Sequence, residues 1–245
     1  MGKIIAVVSG KGGTGKTSFT ANTGLALAAL GYRVLCLDCD FPLRNLDLAL
    51  GLSDCALMDF SDVVEGRCSL EDAVVPHRKY PTLHLLSAPA SASWRVADAT
   101  QMASLYRQIR GSYDYCLVDS PAGLGPGFHL AADYADSAVV VTTTDQTALR
   151  DAQRTVMELD RFPAGHIHLV VGRVKPRMLR SLHTTIDDAI DSAGLPLLGV
   201  IPEDGDMPYA LNRGVPLREI NSYAARAYEN IARRLAGRKV PLMKL

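Results

Sequence analysis

The sequence has no net charge: 26 lysines and arginines balance 26 aspartates and glutamates across 245 residues. That balance excludes binding to nucleic acid through bulk charge alone. No apolar run approaches the roughly 18 residues that mark a membrane-spanning helix. The first residues pass directly into an apolar strand pattern, which leaves no room for a secretory signal. Cysteine is sparse and scattered, at positions 36, 39, 55, 68 and 116. Cys36-Leu37-Asp38-Cys39 spells C-x-x-C, but no second pair follows to complete a structural zinc site. Cys36 and Cys116 fall inside apolar runs, where a thiol packs as a small hydrophobe. The set reads as reduced, cytoplasmic thiols. Internal repeats, low-complexity tracts and linkers are also missing. With 48% hydrophobic and 21% charged residues, the chain suits one α/β domain with a sizeable core.

What is present concentrates in the first turn, Ser9-Gly10-Lys11-Gly12-Gly13-Thr14-Gly15-Lys16-Thr17. The apolar run Lys3 to Val8 enters it, and Ser18 to Leu30 leaves it with helical spacing. The stretch matches G-x-x-x-x-G-K-[ST], with Gly10 and Gly15 as its fixed glycines. Glycines let backbone N–H groups wrap a polyphosphate, and the following helix adds unpaired N–H groups and the positive end of its dipole. Lys16 places a point charge near the β- and γ-phosphates, and Thr17 offers a hard oxygen to Mg²⁺. Gly10 through Ser18 is therefore the expected nucleoside triphosphate site. Lys11 is a second lysine inside the loop.

Strand and helix patterns alternate along the rest of the chain. Tyr32 to Asp38 reads as a buried strand whose carboxyl end carries Asp38 and Asp40. Phe41 to Leu48 leaves the sheet and starts a short helix. Residues 52–80 read as surface α structure, with Met58 to Glu65 and a capped turn from Ser69 to Asp72. Leu83 to Ala88 is a short strand, and Ala99 to Arg110 a helix with Met102, Leu105 and Ile109 on one face. Tyr113 to Asp119 is an apolar strand ending in a carboxylate, followed by Ser120-Pro121-Ala122-Gly123. An Asp in that place can polarise a metal-bound water. Strands at 137–143, 168–173 and 197–202, a helix from Asp145 to Leu159 and a last helix from Ser222 to Leu235 complete the pattern. The expected fold is α/β: a doubly wound, mostly parallel sheet with helices on both faces. Ligand chemistry in such sheets gathers at the strand carboxyl ends.

With Lys11 placed as Lys11-Gly12-Gly13-Thr14-Gly15-Lys16-Thr17, the chain resembles the MinD/ParA family of deviant P-loop ATPases over nearly its whole length, its MinD branch most closely. Asp38-Cys39-Asp40 with Leu43 to Leu48 resembles the family's switch I, Asp119 to Gly123 its switch II, and Gly199 to Asp204 its nucleotide-base loop. The resemblance implies an ATP·Mg²⁺-dependent homodimer in which Lys16 serves its own nucleotide and Lys11 the neighbour's, as an arginine finger would. It further implies that Asp40 orients the attacking water, that Asn45 supports the switch, and that Thr17, Asp38 and Asp119 hold Mg²⁺. Arg173, Pro202 and Asp204 would border the base, and Asp151 would interact with Lys11. The implied function is a slow ATPase switch of cell-division site selection, cytoplasmic or peripheral on the membrane's inner face. Its implied partners are a MinC-like division inhibitor and a MinE-like activator.

Three features depart from the family pattern. Gly172 precedes Arg173 where the family often has an Asn that reads adenine, and Pro42 stands in switch I. The tail, 237–245 beyond an ATPase domain spanning 1–236, has three cations and four apolar residues. Pro241 prevents a continuous helix there, so the tail is a weak expected contact with a membrane surface. An alternative is a ParA-like or FlhG-like ATPase that positions DNA or a flagellar or other cargo. It would use a basic patch of Arg173, Lys175, Arg177, Arg180 and Arg213, which the neutral net charge disfavours. A reductase on the same scaffold would need cluster-ligating cysteines beyond its strands, whereas Cys116 lies within one.

Overall fold

The computed structural model describes residues 1–41, 43–53, 55–89, 99–175, 185–220 and 222–243. Pro42 of switch I, Arg177 and Arg180 of the basic set, and Lys244 and Leu245 of the tail lie outside them. The strands are β1 (Lys3–Val8), β2 (Val34–Asp38), β3 (Val75–Pro76), β4 (Leu83–Leu86), β5 (Tyr115–Asp119), β6 (Ser137–Thr142), β7 (Ile167–Val174) and β8 (Leu197–Pro202). They form one sheet in the order β3-β4-β2-β5-β1-β6-β7-β8. Every pairing is parallel except that of β3 with β4.

Both faces of this sheet are covered, so the central strands are apolar throughout instead of alternating with polar residues. Side chains still alternate between faces, and β1 feeds two cores. Ile4, Ala6 and Val8 enter one, Ile5 and Val7 the other. The Ile5 side is closed by α1 (Lys16–Ala29), by α2 (Leu46–Leu50) and by the last helix. The opposite side receives α3 (Phe60–Val64), α4 (Leu70–Ala73), α5 (Ala99–Ser112), α6 (Pro126–Ala132), α7 (Gln146–Met157) and α8 (Ile186–Ala193). Then come α9 (Asp206–Arg213) and α10 (Tyr223–Leu235), and α10 lies against α1. Among the described residues, no helix is long and apolar enough to cross a membrane.

Residues 52–80 need one correction. Two helices are there, α3 and α4, each closed by a capping box on Asp59 or Ser69. The segment then returns as β3, antiparallel to β4. A two-residue strand is too short to show a period of two, and Pro76 argues against a strand except at a sheet edge, which is where β3 lies. The sequence patterns assign no element to α6, α8 or α9, which are short.

Two features of the periphery carry measurable consequences. The Arg234 guanidinium, on α10, donates to three carbonyls: Leu198 of β8 at 2.8 Å, and Val240 and Pro241 of the tail at 3.0 and 2.7 Å. The tail is thus folded back on the body, and Met243 packs at the α1/α10 core. Arg234→Ala should cost about 1–3 kcal/mol, read as a lower urea midpoint, and speed tryptic cleavage at Arg238 and Lys239. An unchanged midpoint and cleavage rate would show that the tail is not held this way.

On β4, His84 is half-buried against Tyr113 (ring centroids 5.5 Å apart), and its Nδ1 has no hydrogen-bond partner. Burial holds its imidazole below the ordinary value, because the charged form is the costlier one to desolvate. The unfolded chain therefore binds this proton first. The stability His84 contributes is complete above about pH 6.5 and is lost as pH falls below it. His84→Phe should flatten the decline in urea midpoint between pH 7.5 and 5.5, and an identical decline in parent and variant would refute this source.

Candidate nucleotide site

The site is assembled by three parallel strands that end at one level. The register pairs Asp119 of β5 with Asp38 of β2 on one side and with Val7 of β1 on the other. The two carboxylates are therefore neighbours beneath the turn that follows β1. Gly123 N–H donates to the Ser9 carbonyl at 3.1 Å, tying the segment after β5 to that turn.

The turn needs its glycines for two separate reasons. Gly15, immediately before α1, has φ of +96°, a left-handed conformation that side chains disfavour. At Gly10 the constraint is space. A Cβ there would lie 2.6 Å from the Asp151 carbonyl and 2.9 Å from Thr155 Oγ1, so α7 packs directly on the loop. The helix begins at Lys16, two residues before its apolar pattern does, which puts the Lys16 and Thr17 side chains in its first turn.

Lys16, Asp38 and Asp119 are 7%, 2% and 1% exposed. Burial lowers the affinity of the Lys16 amine for its proton, opposed by the charges of Asp119 and Asp40. Burial, with Asp119 beside it, pushes the Asp38 carboxyl up to about 8, although the N–H groups of Asp40 (2.8 Å) and Leu46 (3.3 Å) donate to it. Asp38 thereby caps α2 from outside, since Asn45, exposed just before that helix, makes no side-chain cap bond. Asp119 is pushed up to about 6 by burial, against the hydroxyls of Thr17 and Thr20 and the charge of Lys16. Thr20 donates to its Oδ1 at 3.2 Å, and its Oδ2 is buried without a hydrogen-bond partner. Asp40 is half-buried and also raised by burial, opposed by Lys16.

Two buried carboxylates, one with a vacant oxygen, beside a threonine hydroxyl fit a hydrated divalent cation. The described residues contain no group of three or more His, Cys, Asp or Glu arranged to hold a metal. Mg²⁺ is held in this manner elsewhere, by one or two carboxylates with retained waters and substrate phosphate oxygens.

A cleft of about 350 Å³ opens beside the loop, bordered by Gly13 to Gly15, Ser18, Gly172, Arg173 and the 201–204 segment. Pro202 and Asp204 line it. The Asp204 carboxylate, however, accepts from Ser222 and from the N–H of Ala224, and so fixes the start of α10. Arg173, in a left-handed conformation (φ +54°), donates to the Gly13 carbonyl at 3.1 Å. Met207, Pro208 and Tyr228 also border the cleft. No local motif marks them, because α9 and α10 reach the site only through packing.

Lys11 is exposed, and its amine donates to Thr147 of α7 at 2.8 Å. Asp151, one turn further along, forms its ion pair with Arg154 at 3.9 Å. The structure thus places Lys11 and Asp151 on one loop–helix contact with different partners. The described members of the basic set suggested for DNA have partners within the chain. Arg173 and Lys175 share Glu203, and Arg213 covers the Tyr209 ring.

Comparison with known proteins agrees with this geometry. A family profile described as "ParA: NUBPL iron-transfer P-loop NTPase" matches residues 1–236. The chain is 41% identical over 246 residues to the septum site-determining protein MinD of Synechocystis, covering 99% of this chain and 92% of that protein. The MinC:MinD complex of Aquifex aeolicus superposes with a TM-score of 0.91 at 37% identity, covering 99% of both chains. MinD of Pyrococcus horikoshii complexed with Mg-ADP gives 0.84 at 33% identity, covering 98% of this chain and 100% of that one. The chain belongs to the MinD family of septum site-determining P-loop ATPases.

Proposed function

We propose that this chain is an ATP-timed dimerisation switch of cell-division site selection. The observation that carries the proposal is the buried Lys16 amine beside Asp119 and Asp40 beneath the glycine turn, with Asp38 next to Asp119 and Lys11 exposed on the same turn. An anion arriving in the turn meets the N–H groups of Gly12 to Thr17, the start of α1 and the Lys16 charge. Thr17, Asp38 and Asp119 would hold Mg²⁺, which offsets charge on the β- and γ-phosphates when bound. Asp40 accepts a hydrogen bond from the attacking water and orients it.

Lys11 contributes across the dimer. Among the described residues its partner is neutral, the Thr147 hydroxyl, so exchange for a phosphate of the second copy's nucleotide is favourable. Asn45, at the head of α2, and Asp151, beneath Gly10, lie on elements bonded to Asp38 and Lys11 respectively. Hydrolysis removes the charge that Lys11 bridges, and the dimer opens. The Aquifex relative forms a complex with MinC; by analogy, this chain's dimer recruits a division inhibitor, and an activator sets its lifetime. Contact of the tail with a membrane surface would require its carbonyls to leave Arg234.

Light scattering with ATP·Mg²⁺, in an Asp40→Ala background that slows turnover, should show a dimer for the parent. Lys11→Ala should bind ATP within a few-fold of the parent and stay monomeric, with turnover lowered at least tenfold. A Lys11→Ala dimer that hydrolyses normally would rule out the cross-subunit role. Asp119→Ala should abolish the Mg²⁺-dependent part of the ATP-induced rise in Tm. Retention of that increment would remove Asp119 from the metal site.

A further inference from the structure

Two glycines join the metal side of the site to the cleft side. α2 ends at Gly51 (φ +67°) and α9 at Gly214 (φ +59°), left-handed caps that cost glycine least. The two caps touch, backbone on backbone. A Cβ at Gly51 would lie 2.3 Å from the Gly214 carbonyl oxygen, and one at Gly214 would lie 2.5 Å from the Gly51 Cα. A left-handed cap by itself requires no such closeness. Gly194 ends α8 at φ +64°, and among the described residues nothing lies within 4 Å of its Cβ position. At Gly51 and Gly214, packing adds a second requirement to the conformational one.

Each helix carries a different part of the site. α2 starts at Leu46, whose N–H donates to the Asp38 carboxylate at 3.3 Å. The Arg44 N–H, just before it, donates to the Asp40 carbonyl at 2.9 Å. At its other end, the Gly51 and Leu52 N–H groups close α2 on the Leu48 and Asp47 carbonyls. α9 places Met207 and Pro208 on the cleft wall, and the Val215 N–H closes its end on the Ala210 carbonyl at 3.0 Å. Leu46, Leu50 and Leu52 share one apolar core with Ala210 and Leu217, and Met207 packs against it. With five residues, α2 is far too short to be stable alone and takes its position from what it touches.

We propose that Gly51 and Gly214 are positioning residues that couple the cleft to the switch carboxylates, so that a base fixing α9 also fixes α2 and, through it, Asp38 and Asp40. The proposal rests on the reading of the chain as an ATP switch whose base enters this cleft. Packed interiors have little slack, and two backbones in contact have no side-chain rotamer that could absorb a displacement. The seat is the physical link between the two halves of the site. Such coupling is reciprocal: a ligand that orders Asp38 also steadies α9.

Amide hydrogen exchange of the full chain with adenosine, which offers a base without phosphates, tests the link. Saturating adenosine should slow exchange of the Met207 and Val215 amides at α9. It should also slow the Gly51 and Leu52 amides at the end of α2, by at least about fivefold. Protection confined to α9 overturns the coupling and leaves the cleft assignment standing, whereas protection of neither helix overturns both. Gly214→Asn breaks the seat and keeps the cap, since Asn enters the left-handed region readily but brings a Cβ. It should keep adenosine protection in α9, lose it in α2, and slow single-turnover hydrolysis of saturating Mg·ATP at least about fivefold. Gly194→Asn, the same change in open space, should match the parent in both. A folded Gly214→Asn variant with the parent's α2 protection and hydrolysis rate removes both glycines from this role. If that variant does not fold, the adenosine comparison on the parent decides alone.

Discussion

A lysine amine buried against carboxylates at the meeting of three parallel strands is the constraint on which the site depends. Burial raises the energy of every charge there, which is why Lys16 is held below, and Asp38 and Asp119 above, their ordinary proton affinities. The core tolerates the arrangement because the strands are stabilised on both faces by large apolar layers. It is unfavourable alone and improves when a polyphosphate and a cation bring compensating charge. A ligand that brings such charge stabilises the folded chain by mass action.

The coupling has a structural route. Asp38 is at once a site carboxylate and the external cap of α2, through the Leu46 N–H. A change in its charge or coordination alters the hold on the segment that carries Asp40 and Asn45. Asp119 accepts from the Thr20 hydroxyl of α1, and the segment after it is tied to the turn through Gly123 and Ser9. The loop rests on α7 at Gly10, so the helix that positions Lys11 through Thr147 also senses the turn.

The base side is built differently. Its walls come from β7, β8, α9 and α10, and the ionic groups that line it, Arg173, Glu203 and Asp204, are also bonded to the protein itself. Asp204 fixes the start of α10, and Arg173 clamps the loop in a left-handed backbone conformation. The turn side of the site thus presents specific charged groups, and much of the cleft side is apolar surface.

The order of the longer strands and of the helices α1, α5, α7 and α10, the glycine turn and the aspartates at strand ends were legible from residues alone. Each depends on local chemistry: burial on both faces makes a strand apolar throughout, a phosphate loop requires glycine, and an Asp closing an apolar run is conspicuous. Helix ends were legible to within a few residues where a capping side chain marked them, as at Ser69 and Ser222. The two-residue β3 was not, because its only support is the neighbouring strand. The partners of Lys11, Arg173, Asp204 and Arg234 were not legible either. They lie between 18 and 160 positions away in the chain for the bonds Lys11–Thr147, Arg173–Gly13, Asp204–Ser222 and Arg234–Leu198. The sequence by itself determined which chemistry is present and at which strand ends it stands, since those follow from neighbouring residues. Only the tertiary structure decided which charged groups remain open to a ligand, because that depends on contacts between segments that meet only when the sheet and its two helical layers close.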